Sequence, residues 1–102
     1  MKIAINVDFG GFGLSKAAFA ELGIPWDGYG YLRNEDFDIT SDDYNAYRSH
    51  PKLIAAIEKI GVEQASGSMA QLRIIDIPDG MEFEIDNYDG MESVHEKHRS
   101  WY

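Results

Sequence analysis

The sequence predicts an α+β fold: a small sheet, made of an N-terminal strand and a β-hairpin in the C-terminal half, packed against about three short helices. Three observations predict it. Residues 2–8 alternate Ile3, Ile5 and Val7 with Lys2, Ala4, Asn6 and Asp8, the period of a strand with one buried face. Residues 51–60 set Leu53, Ile54, Ile57 and Ile60 along one helical stripe. Residues 70–86 hold two runs of strand-forming residues on either side of Pro78-Asp79-Gly80, a turn sequence.

The remaining elements follow in order. After the first strand comes Gly10-Gly11-Phe12-Gly13-Leu14-Ser15, which reads as a glycine turn leading into a helix over 15–22. Ser15 suits its N-cap, Ala17, Ala18, Phe19 and Leu22 lie at helical spacing, and Gly23 suits the left-handed position that ends it. From Asp27 to Ser49 periodicity fades, and tyrosines and phenylalanines alternate with carboxylates in an ordered, solvated loop. His50-Pro51 opens the second helix with proline at the first helical position, and Gly61 closes it. Leu72 to Ile77 and Met81 to Ile85 read as the two arms of the hairpin, and Met91 to Arg99 as a third helix with Met91, Val94, His98 and Trp101 near one face.

At 102 residues the chain reads as one domain, 1–102, with a thin core. Apolar residues at 44% and aromatics at 13% place it among folded rather than disordered chains. The absence of cysteine excludes disulfides and thiolate metal sites. No apolar run approaches membrane-spanning length and no secretory leader is recognisable, so a soluble cytoplasmic protein without membrane association is expected. Eighteen acidic residues against nine basic ones give a net charge of −9, which argues against nucleic acid as a partner. The same charge suits either plain solubility or a surface that imitates nucleic acid to occupy a basic protein.

The pattern most suggestive of chemistry is the glycine turn. Glycines let backbone approach a ligand closely, and N–H groups at a turn entering a helix suit an anion. The spacing falls short of a phosphate-binding loop, so a tight connection without ligand is the alternative. The candidate ligand-binding set is Asn6, Gly10, Gly11, Phe12, Gly13 and Ser15, joined by His98, Arg99 and Trp101 if the C-terminus reaches the turn. Arginine pairs with phosphate, and tryptophan stacks on bases. No catalytic residue is expected. Ser15 lacks the Gly-x-Ser-x-Gly context of an exposed nucleophile, and His95-Glu96-Lys97-His98 has the wrong spacing for a zinc-protease motif. His95 and His98 have no fixed third ligand, and the carboxylates from Glu35 to Asp43 do not match a calcium loop, so neither metal nor cofactor is expected. The aromatic surplus suggests a homo-oligomer.

The chain also resembles a family of small, uncharacterised phage and prophage proteins. The resemblance rests on Met1 to Asn6 with Gly10 to Ser15, and on Pro51-Lys52-Leu53-Ile54, Ala65-Ser66-Gly67 and Ile77-Pro78-Asp79. It extends through Tyr88-Asp89-Gly90-Met91 to Glu96-Lys97-His98-Arg99-Ser100-Trp101. It leaves out the aromatic loop, and this chain has Asp8-Phe9 where such proteins often carry cysteine then tyrosine, and His50 where an aspartate is usual. The resemblance implies a phage origin and no established activity. Among the roles open to such a protein, sequestering a small anionic, nucleotide-derived immune signal of the host is the expectation. The alternative is an acidic inhibitor that binds a host defence complex.

Overall fold

A computed structural model describes residues 1–96; His98, Arg99 and Trp101 therefore lie outside the described residues. The fold is α+β, with β1 (Lys2–Asn6), α1 (Lys16–Leu22), α2 (Pro51–Ile60), α3 (Val62–Ala65), β2 (Leu72–Asp76), β3 (Phe83–Tyr88) and β4 (Met91–Glu96). Two short 3-10 turns, Asn34–Phe37 and Ala46–Ser49, order the loop that lacks periodicity. Among the described residues no helix is long and apolar enough to cross a membrane.

The expected helix ends are present. The Ser15 hydroxyl accepts from the Ala18 N–H at 3.1 Å, and Gly23 closes α1 at φ 73°. His50 Nδ1 accepts from the Lys52 N–H at the start of α2, directly before Pro51. Leu53 and Ile57 of α2 are fully buried and belong to one cluster with Phe19, Leu22, Ala4 and Leu72, so α1 and α2 cover one face of β1 and β2.

The strands pair differently from the expectation. Instead of one sheet there are two, each of two antiparallel strands: β1 with β2, and β3 with β4. The run 72–77 does not fold back on 81–85 through Pro78-Gly80; it pairs with β1 in the register Lys2 to Asp76 and Asn6 to Leu72. The N-terminal ammonium holds that register, donating to the Ile77 carbonyl at 2.7 Å and to the Asp76 and Asp79 carboxylates. The expected helix over 91–99 is corrected as well, since residues 91–96 are strand β4. The reason is the turn before it. Asp89 and Gly90 both have positive φ, 50° and 91°, and two such residues in succession make the tight turn whose twist matches a hairpin. Met91 and Val94, spaced for a helix, instead fall on opposite faces of a strand.

One buried ion pair joins the hairpin to the body. Arg48 grips Glu92 of β4 with both terminal nitrogens, Nη1 to Oε1 at 2.7 Å and Nη2 to Oε2 at 2.8 Å, and both side chains are almost fully buried. The pair sits on β1's free edge. Val7 donates to Gln71 across the β1–β2 ladder, so the backbone groups of Ala4 and Asn6 face the other way. Arg48 Nη1 donates to the Ala4 carbonyl at 3.3 Å, and Glu92 Oε1 accepts from the Asn6 N–H at 2.9 Å. Two side chains thus take the place of a third strand.

Removing one member of a buried, hydrogen-bonded pair strands the other's charge, at about 3–5 kcal/mol. Glu92→Ala should therefore lower unfolding stability in urea by that amount. The double variant Arg48→Met/Glu92→Leu should recover only part of the loss, because the Ala4 carbonyl and the Asn6 N–H still lack partners. A double variant as stable as the parent would contradict the edge-capping role.

Candidate functional site

Asn6 ends β1 fully buried, and its side chain uses every donor and acceptor position inside the protein. Its Nδ2 donates to the Asp8 and Gly90 carbonyls at 2.6 and 2.7 Å, and its Oδ1 accepts from the N–H groups of Gln71 and Asp8 at 2.8 and 3.3 Å. It ties together the start of the glycine turn, the approach to β2 and the tip of the hairpin. A residue expected to touch ligand is thus the anchor that shapes the turn.

The glycines then bring backbone against backbone. A Cβ on Gly10 would lie 1.7 Å from the Met69 carbonyl oxygen, and one on Gly90 would lie 2.4 Å from the Phe9 carbonyl oxygen and 2.6 Å from the Gly11 nitrogen. Gly11 is different: it has φ 90° and open space where a Cβ would stand. The end of the turn is stitched down, with Leu14 donating to the Gly30 carbonyl, Gly67 to Gly13, and Ser15 to Ala65, all at 2.8–2.9 Å. The Ser15 hydroxyl is likewise engaged, accepting from Ala18 and donating to the Gln64 carbonyl at 2.6 Å. Phe12 is half-buried under the Arg48 guanidinium, 3.7 Å from the ring centroid, and meets Tyr47 edge-on at 6.1 Å. Burial is the largest single influence on Arg48 and opposes its charge, but the hydrogen bonds to Glu92 together with the interactions with Tyr47 and the Glu92 charge outweigh it and hold the pKa above the ordinary value.

What the turn leaves open is the stretch before Leu14. The N–H groups of Gly10, Gly11, Phe12 and Gly13 make no well-formed hydrogen bond among the described residues. These residues line a groove of about 260 Å³ together with Gly28, Tyr29, Tyr31 and the segment Gly67 to Ala70. Tyr29 and Tyr31, whose spacing in the sequence suits a pocket lining or a subunit contact but which lie outside the candidate ligand-binding set, form one wall. Asp27 builds it: one carboxylate oxygen accepts from the N–H groups of Tyr29 and Gly30 at 2.8 and 2.6 Å, and the other from Tyr31 at 3.1 Å. The Gly30 hydrogen bond chiefly, with those from Tyr29 and Tyr31, keeps the Asp27 carboxyl below its ordinary pKa. The structure therefore gathers Gly10, Gly11, Phe12 and Gly13 at one groove, and uses Asn6 and Ser15 to hold its frame.

A larger cleft of about 600 Å³ lies in the aromatic loop, between Arg33, Ile39, Tyr44 and Tyr47. Its central amide, Asn34, is already engaged with the Asp43 carbonyl and the Tyr47 N–H. On the exposed face of the hairpin, Ser93, His95 and Asp86 come together, but Ser93 Oγ and Asp86 Oδ2 both approach the same ring nitrogen, Nε2, at 3.0 and 3.1 Å. A proton relay needs one partner on each nitrogen, so this is not a nucleophilic triad. No group of three potential metal ligands occurs among the described residues. No family model, curated protein or solved structure matches the chain.

Alanine substitutions separate the two kinds of glycine. Gly11→Ala should fold with a loss of about 1–2 kcal/mol from its left-handed backbone alone. Gly10→Ala must displace the Met69 backbone and should destabilise the chain by well over twice as much in the same urea titration. Equal losses would show that Met69 yields freely and that the turn is not packed as described.

Proposed function

We propose that this chain is a small non-enzymatic binding protein of phage origin that acts against host defence in the host cytoplasm, sequestering a small anionic ligand derived from a nucleotide. The observation that carries the reading is the groove at the glycine turn, where the backbone N–H groups of Gly10 to Gly13, without a well-formed hydrogen bond among the described residues, share a lining with two tyrosines. Backbone donors can hold a phosphate oxygen without a rearranging side chain, and aromatic faces suit a base. Arg99 and Trp101 add a cation and a second stacking face to the proposal, and a homo-oligomer is part of it.

The second reading, an acidic inhibitor of a host defence complex, draws on the hairpin. Glu82, Glu84, Asp86 and Asp89 are all exposed on it, and no lysine or arginine occurs from residue 74 to residue 96. Such an arm complements a basic protein surface.

A thermal-shift screen against cyclic nucleotides and ADP-ribose derivatives tests the first reading. A ligand present at a hundred times its Kd stabilises by about 2.7 kcal/mol, which raises Tm by roughly 10 °C in a chain of this size. Gly11→Ala should fold and diminish that shift. A flat response across the panel would overturn the sequestering function. Salt-sensitive binding to a purified basic defence protein, lost in Glu84→Lys/Asp86→Lys, would then establish the second reading.

A further inference from the structure

Tyr29 and Tyr31 are largely exposed, at 76% and 65%, yet their rings are ordered against each other. The ring planes lie within 11° of parallel and the centroids are 6.2 Å apart. Their backbone is held by the three N–H groups that Asp27 accepts, with Gly28 and Gly30 at φ 89° and 96° to either side of Tyr29. The loop therefore displays two parallel phenol rings beside the open amides of the glycine turn.

We infer that Tyr29 and Tyr31 are a stacking subsite for a planar heteroaromatic ring of the nucleobase class, with the polar edge of that ring directed at the Gly10 to Phe12 amides. This rests on the ligand-binding reading above and names the part of the ligand that the tyrosines take. A planar ring held between two others needs about 3.5 Å on each side, so about 7 Å from plane to plane. Near-parallel rings with centroids 6.2 Å apart lie no farther than that from plane to plane, so a base stacks on the outer face of one ring or enters between them as these exposed side chains rotate apart. Rings already parallel have less freedom to lose when a third joins them, which favours binding. The chemistry of the floor matches as well. Ring nitrogens and exocyclic carbonyls of a base are acceptors, and the Gly10, Gly11 and Phe12 amides are donors. Tyr29 and Tyr31 flank Gly30, whose φ of 96° is a backbone conformation that favours glycine, so the pairing comes from a turn that Asp27 holds.

The test uses two separate probes, adenosine and inorganic phosphate, with the intact protein followed by NMR. Adenosine should move the Tyr29 and Tyr31 ring-proton signals upfield. Tyr31→Ala should weaken its binding between about five-fold and about a hundred-fold, the range for loss of one aromatic platform, while Tyr31→Phe should keep it. Tyr44→Ala, at a residue 88% exposed in the other cleft, should leave it unchanged. All three substitutions are at exposed rings, and an unaltered Tm verifies the fold. Ring signals that do not move with adenosine or guanosine, or adenosine affinity retained in Tyr29→Ala/Tyr31→Ala, would overturn the subsite. Phosphate reports separately: shifts at the Gly10 to Phe12 amides with still tyrosine signals would sustain the anionic-ligand reading while the stacking subsite fails. Adenosine binding without any response to phosphate gives the converse.

Discussion

Arg48 and Glu92 meet where β1 would otherwise present bare backbone to its surroundings. Their pairing satisfies each other's charge, the Ala4 carbonyl and the Asn6 N–H together, so one contact serves as ion pair, sheet edge and hairpin anchor. A two-stranded hairpin alone is marginal in water, and among the described residues β3 and β4 form no ladder with another strand. Their attachment depends on side chains, with Glu92 gripping from one side and Gly90 seated on the glycine turn from the other. Phe12, lying under the guanidinium, brings the turn itself into the same unit.

The shape of the groove follows from that attachment. Asn6 holds the Asp8 and Gly90 carbonyls with one amide nitrogen, so the hairpin tip and the start of the turn share a single anchor. Gly10 and Gly90 allow the close approach, and the second half of the turn is bound to the loops around Gly30 and Gly67. The amides of Gly10 to Gly13 are left without a well-formed hydrogen bond among the described residues, and Asp27 positions the tyrosines beside them. The glycines are thus required by packing in the first place, and the open donors are a consequence of how that packing ends.

Local signals in the sequence carried the fold a good part of the way. The first strand, the caps at Ser15, Gly23 and His50-Pro51, and the stripe of α2 all depend on neighbours within a turn or two and are present, although the strand expected over 2–8 stops at Asn6 and is buried on both faces instead of one. The misassigned third helix had its own local signal in Asp89-Gly90, which outweighs the three-residue spacing of Met91 and Val94. Partner choice was a different matter. Both β1 and β3 could pair with residues 72–76, and the selection depends on contacts made at long range, among them an arginine 44 residues from its glutamate. For the same reason Asn6 read as a ligand contact and Glu92 gave no signal of its own, since their burial is created by distant segments. Tyr29 and Tyr31 were visible as aromatics in an acidic loop, but not as a parallel pair, because the Asp27 hydrogen bonds that orient them are a matter of three-dimensional geometry.

Hydrogen exchange at the Asn6 amide tests most directly the claim that the ion pair completes the edge of β1. That N–H faces away from β2 and is held only by the Glu92 carboxylate. The account predicts that it exchanges as slowly as the ladder amide of Val7, and that Glu92→Gln speeds it far more than it speeds Val7. Rapid exchange at Asn6 in the unmodified protein, at the rate of an open strand edge, would contradict it.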